Sequence, residues 1–521
     1  MSRDLLIGID AGTSVIKSVV FTLAGEQVAM ASRPNSYATP GPGQVEQDMI
    51  RTWSDCAATL RDLGDTVPNL AARVAAVAVT GQGDGTWLVD KAGEPVGGGL
   101  LWLDSRAATL IAPYLASAAY DGHYRMTGSG LNACMASAQI AWMKIHQPER
   151  LARAVSTHHC KDWLYFKLTG ERVTDPSEAS FTFGNFRTRR YEPSILEKMG
   201  IAEFERLLPP IIDGTQVSHG LSAAAASVTG LPEGLPIVLA YLDVVCTGLG
   251  GGVFDRSGKV GLTIVGTTGM HMRYIGTPDE IQLNESHSGY TMCFPIEGAS
   301  LAIQSNMAST LNIDWFLDVA REAAAAAGAE ATRATLLSGM DKRVMEASPA
   351  AALYHPYIFE AGERGPFLDP NARAQFTGLS TRTTFAGMMR AVYEGLAFAA
   401  RDCYLATGMI PEEVRLGGGA ARSRALRKIL ASALGAQVRT VDREESGAAG
   451  AAMMAAVHHG IYADIPASVD AWVTPALGDL TEPDAALNKL YGEIFPAYVA
   501  IREAMPPAWE RLARVRQEVS A

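Results

Sequence analysis

The apolar positions of the first eighty residues fall into short bursts separated by polar turns. Leu6, Ile7 and Ile9 predict a buried strand, Asp10-Ala11-Gly12-Thr13-Ser14 a tight turn, and Val15 to Phe21 the returning strand of a hairpin. Helical spacing predicts a helix from Met49 to Leu63, and the apolar run Val74 to Val79 predicts a fully buried strand. Residues 135–147 predict an amphipathic helix with Ile140, Met143 and Ile145 among its apolar positions. A second helix turns Trp163, Leu164 and Phe166 inward and stops at Leu168-Thr169-Gly170. Asp175 to Ser180 is a capped helix start or a loop.

From residue 235 the pattern repeats in outline. An apolar strand ends at Asp243, followed by a small-residue helix and by Gly250-Gly251-Gly252, which has the composition of a domain joint. Lys259 to Met272 is again strand, turn and strand, around Gly266-Thr267-Thr268-Gly269. Leu353 to Phe359 predicts a strand that runs into a long turn, Glu360 to Pro366. Ala386 to Leu405 predicts a long helix with Met389, Val392, Leu396 and Ala399 in the core. Val414 to Leu416 predicts a strand, followed by a Gly417-Gly418-Gly419 turn and a helix to Leu434. Gln437 to Val441 predicts another strand, and Glu444-Glu445-Ser446-Gly447 a cap on an Ala-rich buried helix. From Thr474 the chain predicts a peripheral, charged tail helix. The two hairpins suggest two similar halves with a nucleotide between them.

Composition narrows the classes. At 521 residues the chain is too long for one core and predicts two large domains. A net charge of −11 leaves no basic excess for non-specific nucleic-acid binding. The six cysteines are scattered with no Cys-x-x-Cys pair, which fits reduced thiols in a cytoplasmic protein better than a disulfide or zinc framework. A strand begins too near the N-terminus to leave room for a signal peptide, and the best apolar run, 234–245, is broken by Asp243, so no membrane partner is expected.

The turns carry the candidate chemistry. Gly12 lets backbone N–H groups approach a ligand, Thr13 and Ser14 add hydroxyl donors, Lys17 adds a cation, and Asp10 can hold a hydrated Mg²⁺. This is what a nucleoside triphosphate needs, although an ordinary polar hairpin fits equally. It is not a Walker-type loop, since no Gly-Lys-Ser/Thr follows. Gly81-Gln82-Gly83-Asp84-Gly85 closes a strand, and Asp104 follows Leu101-Trp102-Leu103; both acids stand where an open α/β sheet collects ligands, or act only in turns. Asp243, at a strand end in apolar surroundings, is a candidate general base or a helix cap, and one residue can do both.

Taken together, Gly8-Ile9-Asp10-Ala11-Gly12-Thr13-Ser14, Gly81 to Gly85, Leu101 to Arg106, Asp243 with its glycines, Gly266 to Gly269 and Gly417 to Ala420 resemble the FGGY carbohydrate kinases over nearly the whole chain. The resemblance implies an α/β fold of two ribonuclease-H-like domains, of the actin-like ATPase and sugar-kinase type, flanking a cleft. The boundaries drawn on it are 1–253 for the substrate side with the catalytic base and 254–521 for the nucleotide side. It implies ATP bound by Gly12, Thr13, Ser14, Lys17, Gly266, Thr267, Gly418, Gly419 and Ser423, and Mg²⁺ held at Asp10 through water. Asp243 matches the base that takes the proton of the attacking hydroxyl, as phosphoryl transfer requires.

For the acceptor, Gln82, Gly83, Asp84, Trp102 and Asp243 match substrate positions. Gly83 is expected to make room, and Asp84 to accept two hydroxyl hydrogen bonds and favour a neutral polyol. The Gly-Gln-Gly-Asp-Gly turn is similar to that of bacterial erythritol kinases, which implies a small polyol substrate. A pentulose such as L-xylulose, D-xylulose or D-ribulose is the alternative, and a non-catalytic sugar- and ATP-binding regulator is the alternative from another class. Whether the chain forms a homodimer stays open.

Overall fold

Two sheets of one design organise the chain, which a computed structural model describes over residues 3–520. The first contains β1 (Leu5–Ala11), β2 (Val15–Thr22), β3 (Gln27–Pro34), β4 (Val74–Gly81), β5 (His219–Gly220) and β6 (Pro236–Leu239), in the order β5-β6-β4-β1-β2-β3. The predicted hairpin is β1–β2, registered Ile7 to Val20 and Asp10 to Lys17. β4 and β6 then run parallel in the sheet interior, where every side chain of β4 is buried, as its unbroken apolar run requires.

The second sheet repeats the plan. β7 (Val260–Val265), β8 (Gly269–Ile275), β9 (Tyr290–Cys293), β10 (Ser300–Asn306), β11 (Glu413–Gly417), β12 (Gln437–Val441) and β13 (Leu477–Thr481) lie in the order β9-β10-β8-β7-β11-β12-β13. Again an antiparallel meander, β7-β8-β10, is extended by parallel strands, β11 and β12.

The helices that matter for the site are α1 (Met49–Thr66), α2 (Ala136–His146), α3 (Cys160–Thr169), α4 (Pro176–Phe183), α5 (Asp243–Gly251), α6 (Phe385–Ala406), α7 (Arg424–Leu434), α8 (Ser446–His458) and α9 (Ala485–Ala504). α3 ends at Gly170 in the left-handed conformation, and Asp175 caps α4 by accepting from Ser177 N.

Four sequence expectations are corrected. Ile145 is 59 % exposed: it lies two residues, roughly 200°, beyond buried Met143 and so on the opposite face of α2. The strand at 353 ends at His355, well short of Phe359. Glu445 makes no side-chain cap on α8 and pairs with Lys17 instead. The chain after Thr474 is a peripheral, charged tail helix only over its last stretch, Pro506–Ser520. Before that it supplies edge strand β13 and then α9, whose Tyr491, Phe495 and Tyr498 are buried in the second core.

The halves meet where α5 crosses α8. A Cβ on Gly450 would stand 2.0 Å from the Cys246 carbonyl oxygen, and one on Gly250 would stand 2.1 Å from that of Ser446. The glycine run at 250–252 is thus a close-packing contact as well as a joint. α8 also lies on the first sheet, where a Cβ on Gly8 of β1 would come 2.0 Å from Ala448 O. Its Ala448, Ala449 and Ala451 to Ala456 are fully buried, which fits a helix apolar on all sides. One apolar cluster therefore joins Leu6, Val19 and Phe21 of the first sheet to Leu262, Met272 and Leu301 of the second.

Candidate active site

The strand ends of both halves converge on a cavity of about 250 Å³. Gln82, Gly83, Asp84, Trp102 and Asp243 all line it, and so does Thr13. A hydrogen-bond chain fixes the polar wall. Trp102 Nε1 donates to Thr13 Oγ1 (2.7 Å), Thr13 Oγ1 to Gln82 Oε1 (2.8 Å), and Gln82 Nε2 to Gln47 Oε1 (2.7 Å). The Thr13 hydroxyl is therefore committed to this wall. Gly12 N closes the hairpin onto Val15 O (3.0 Å), and Ser14 lies exposed at its tip.

Asp84 sits in the left-handed backbone region, with φ +56°, at the head of the turn. Its amide donates to Glu178 Oε1 (3.0 Å) and its Oδ2 accepts from Cys134 Sγ (3.6 Å), whereas its Oδ1 is buried without a partner. Burial pushes its carboxyl up to about 6, against the pull of His159 and Arg364. The space at Gly83 is not open to substrate, as the sequence suggested. A Cβ there would fall 1.9 Å from Leu242 Cδ1 and 3.0 Å from Glu178 Oε2. Gly83 instead lets Leu242 and Glu178 close the pocket floor.

Beneath this turn lies a buried charge cluster. Lys161 Nζ reaches Asp162 and Asp175 at 2.5 Å each, and His159 bridges Asp162 (3.1 Å) and Glu178 (3.3 Å). Ser177 Oγ, bonded to Asp175, accepts from Leu242 N (3.0 Å), which ties the cluster to the residue before Asp243. Burial drives the Glu178 carboxyl well above the ordinary range. Asp104 takes no part. It accepts from Val45 N (2.7 Å) and pairs with buried Arg106 (2.8 Å), so it is a structural acid and not a ligand of the pocket.

Asp243 is the first residue of α5, where its Oδ1 accepts from Val244 N (2.6 Å). It lines the cavity, but the N-cap position is Leu242 and no side-chain cap is made, so the capping role is not the one Asp243 takes. Burial, and next the charge of Asp10, push its carboxyl up to about 8. Asp10 is itself pushed up to about 6, first by burial, with Lys17 lowering it and Glu445 raising it. A Cβ on Gly447 would stand 2.3 Å from Asp10 Oδ2, so the α8 N-terminus closes over this acid only because residue 447 is glycine. Lys17 Nζ pairs with Glu445 at 2.9 Å.

Across the cleft, Gly266, Gly419 and Ser423 line a second cavity of about 710 Å³, with Tyr393, Met340 and Arg333 among its walls. Gly418 has φ +91°, and a Cβ there would stand 2.5 Å from Val265 O. Ser423 caps α7 by accepting from Leu426 N (3.1 Å), and donates to Asp341 Oδ1 (2.7 Å). Thr267 is exposed at the tip of the β7–β8 turn. Its neighbour Thr268 lines the smaller cavity, so this one turn touches both spaces.

Sequence reasoning missed Arg364, Tyr290 and Asn306, which the second half contributes to the smaller cavity, and Glu178 behind the first-half wall. A buried-type acid in α4 and an Arg between Glu363 and Gly365 were the available signals, and neither has a spacing that points to a pocket.

Known proteins place the chain. Residues 5–250 match the N-terminal domain, and 261–459 the C-terminal domain, of the FGGY family of carbohydrate kinases. The chain is 49% identical to an erythritol kinase from Brucella abortus over 510 residues, which cover 98% of each protein. It is 25% identical to an L-xylulose/3-keto-L-gulonate kinase from Escherichia coli, over 94% of this chain and 95% of that protein. Among solved structures, a xylulose kinase from Rhodospirillum rubrum superposes with a TM-score of 0.84 at 25% identity, covering 97% of this chain and 100% of the other. A gluconate kinase from Lactobacillus acidophilus shares the fold with a TM-score of 0.88 at 22% identity, over 98% of this chain and 99% of the other. Matched in both halves and along almost its full length, the chain belongs to the FGGY family of carbohydrate kinases.

Proposed function

We propose that the protein transfers the γ-phosphoryl group of ATP to a hydroxyl of erythritol, with Asp243 as general base. The observation that carries this reading is Asp243 itself, which together with Asp84 lines a small, largely apolar cavity and holds its proton up to about 8. A carboxylate of that affinity accepts a hydroxyl proton near neutral pH far better than an ordinary Asp does. The identity to the Brucella abortus erythritol kinase, 49%, favours the four-carbon polyol over a pentulose.

In this reading Asp84 and Gln82 take the polyol hydroxyls, Trp102 packs on the carbon chain, and Gly83 admits the Leu242 floor. The nucleoside occupies the larger cavity, against Gly418, Gly419 and Ser423. Its phosphates extend past Gly266 and Thr267 toward Gly12, Thr13, Ser14 and Lys17. Closing the cleft around both ligands would exclude water and hold the hydroxyl in line with the phosphoryl group.

Asp10 fits a hydrated Mg²⁺. It is a half-buried acid whose charge is felt at a second acid, Asp243, and Lys17, shared with Glu445, is the cation that offsets it. Among the described residues no group of three or more His, Cys, Asp and Glu is arranged to hold a metal, so water and phosphate oxygens would complete the shell. When bound, the ion neutralises phosphate charge. Asp10 orients it, and Asp243 remains the group that accepts the proton.

The test is ADP release with Mg-ATP across erythritol, glycerol, threitol, ribitol, xylitol, D-xylulose, L-xylulose and D-ribulose. A dominant response to erythritol, lost in Asp243→Asn, is the expected result. A dominant pentulose response overturns the choice of acceptor, and silence overturns the kinase reading.

A further inference from the structure

Arg364 is the one cationic side chain that lines the smaller cavity among the described residues, and it comes from the second half of the chain. No carboxylate of a described residue stands within ion-pair distance of its guanidinium. It reaches instead toward Cys134 and the Tyr290 hydroxyl. Its charge is nevertheless felt at Asp84, which the first half contributes to the same cavity and whose Oδ1 is buried without a hydrogen-bond partner.

The backbone that carries Arg364 is firmly held. Glu363 Oε1 accepts from Met307 N (2.9 Å), Arg364 N (2.8 Å) and Gly365 N (3.4 Å), and Asn306 Nδ2 donates to Gly365 O (2.7 Å). A Cβ on Gly365 would come 2.7 Å from Ser305 O, so this turn lies directly on the end of β10. The cavity thus holds a donor from the second half and, from the first, an acceptor with a free oxygen, and no hydrogen bond or ion pair joins the two among the described residues.

A hydroxyl is both donor and acceptor, and a chain of vicinal hydroxyls fits between such groups. We infer that Arg364 is a substrate-contacting, specificity-determining residue, whose guanidinium donates to one polyol oxygen while Asp84 accepts the hydrogen of that hydroxyl or the next. This rests on the polyol-kinase reading above and adds a contact that only the second half can supply. The acceptor would then touch both halves at once, and a substrate lacking the bridging hydroxyl would leave both buried groups unpaired. Sites of that kind discriminate strongly against the deoxy analogue.

The experiment compares wild type with Arg364→Met and Arg364→Lys, using erythritol, 1,2,3-butanetriol, which lacks a terminal hydroxyl, and 1,2,4-butanetriol, which lacks an internal one. Arg364→Met is expected to raise KM for erythritol at least about tenfold and to leave KM for ATP within about twofold. It is also expected to shrink the wild-type penalty for at least one analogue by about tenfold. Arg364→Lys, which keeps the charge and the stem, carries the same comparison if the Met variant does not fold. Unchanged penalties for both analogues, or a KM for ATP that moves in step with that for erythritol, overturn the inference. If wild type instead turns over a pentulose, the erythritol reading falls and the Arg364 comparison is made with that sugar and its deoxy forms. Silence of wild type with every acceptor overturns both.

Discussion

The Asp243 carboxyl is opposed most strongly by Asp10: after burial, the charge of Asp10 is the largest influence raising its proton affinity to about 8. Two acids thus converge from different elements, β1 and the first turn of α5, onto one end of the cleft. Replacing Asp243 by Asn keeps the shape and removes the proton acceptor. We expect kcat to fall by at least about 10²-fold, with ATP affinity by calorimetry unchanged. A parallel loss of ATP binding would mean that the side chain is structural.

The same raised affinity has a stability signature. The carboxyl ionises near 3.8 in an unfolded chain and near 8 in the folded one. The folded state therefore holds the proton more tightly, and the stability this provides is present below about pH 4 and is lost as pH rises toward 8. Asp243→Asn should melt higher than wild type in the absence of ligands, by an increment that grows between pH 4 and 8.5, on the order of 1 °C for each kcal/mol recovered. A constant increment across that range would contradict the assignment. By the same ionisation, wild-type kcat/KM should fall as pH drops below about 8.

Gly83→Ala tests the pocket floor. Its methyl would overlap Leu242 Cδ1, one residue before Asp243. Overpacking of this kind costs about 1–3 kcal/mol. Both KM for the polyol and kcat should worsen, since moving Leu242 moves the base. An unimpaired enzyme would mean that the floor yields freely.

Lys17 and Glu445 separate two roles for one ion pair. Lys17→Met should raise KM for ATP about tenfold, the scale of one charge-assisted hydrogen bond to phosphate. Glu445→Gln, which frees the ammonium, should leave KM for ATP unchanged or lower it. If both variants damage ATP binding equally, the pair is structural.

These residues also mark how far the sequence could be followed. Hairpins and buried strands were legible because alternation and apolar runs are local, and Asp243 stood out as an acid closing an apolar run, although the strand itself stops at Leu239 and Asp243 opens α5. Local pattern could not reveal which wall a distant residue joins. Arg364 and Asp84, 280 positions apart from 84 to 364, line one cavity only because the fold brings residues of both halves to it. Glu178 looked like an ordinary residue of a capped helix until the fold placed it under the Asp84 amide. Gly83 signalled space but not who fills it, and Glu445 had the position of a cap while its charge went to Lys17. The tail misled because α9 is amphipathic and charged outside, with the partners of its Tyr491 and Tyr498 far upstream.

The glycine contact between α5 and α8 has a consequence for how the molecule holds together. α8 belongs by sequence to the second half, yet it rests on β1 and β4, while Trp472 and Tyr462 donate to Leu23 O and Arg443 to Gly25 O. The peptide linkage after Gly252 is thus not what keeps the two lobes joined. A chain nicked by protease at the exposed Ser257–Lys259 turn would remain one particle, its fragments comigrating until denaturant releases them. Conversely, a gene fragment that ends near residue 253 would present the underside of the first sheet bare to solvent and would be an aggregate rather than a domain.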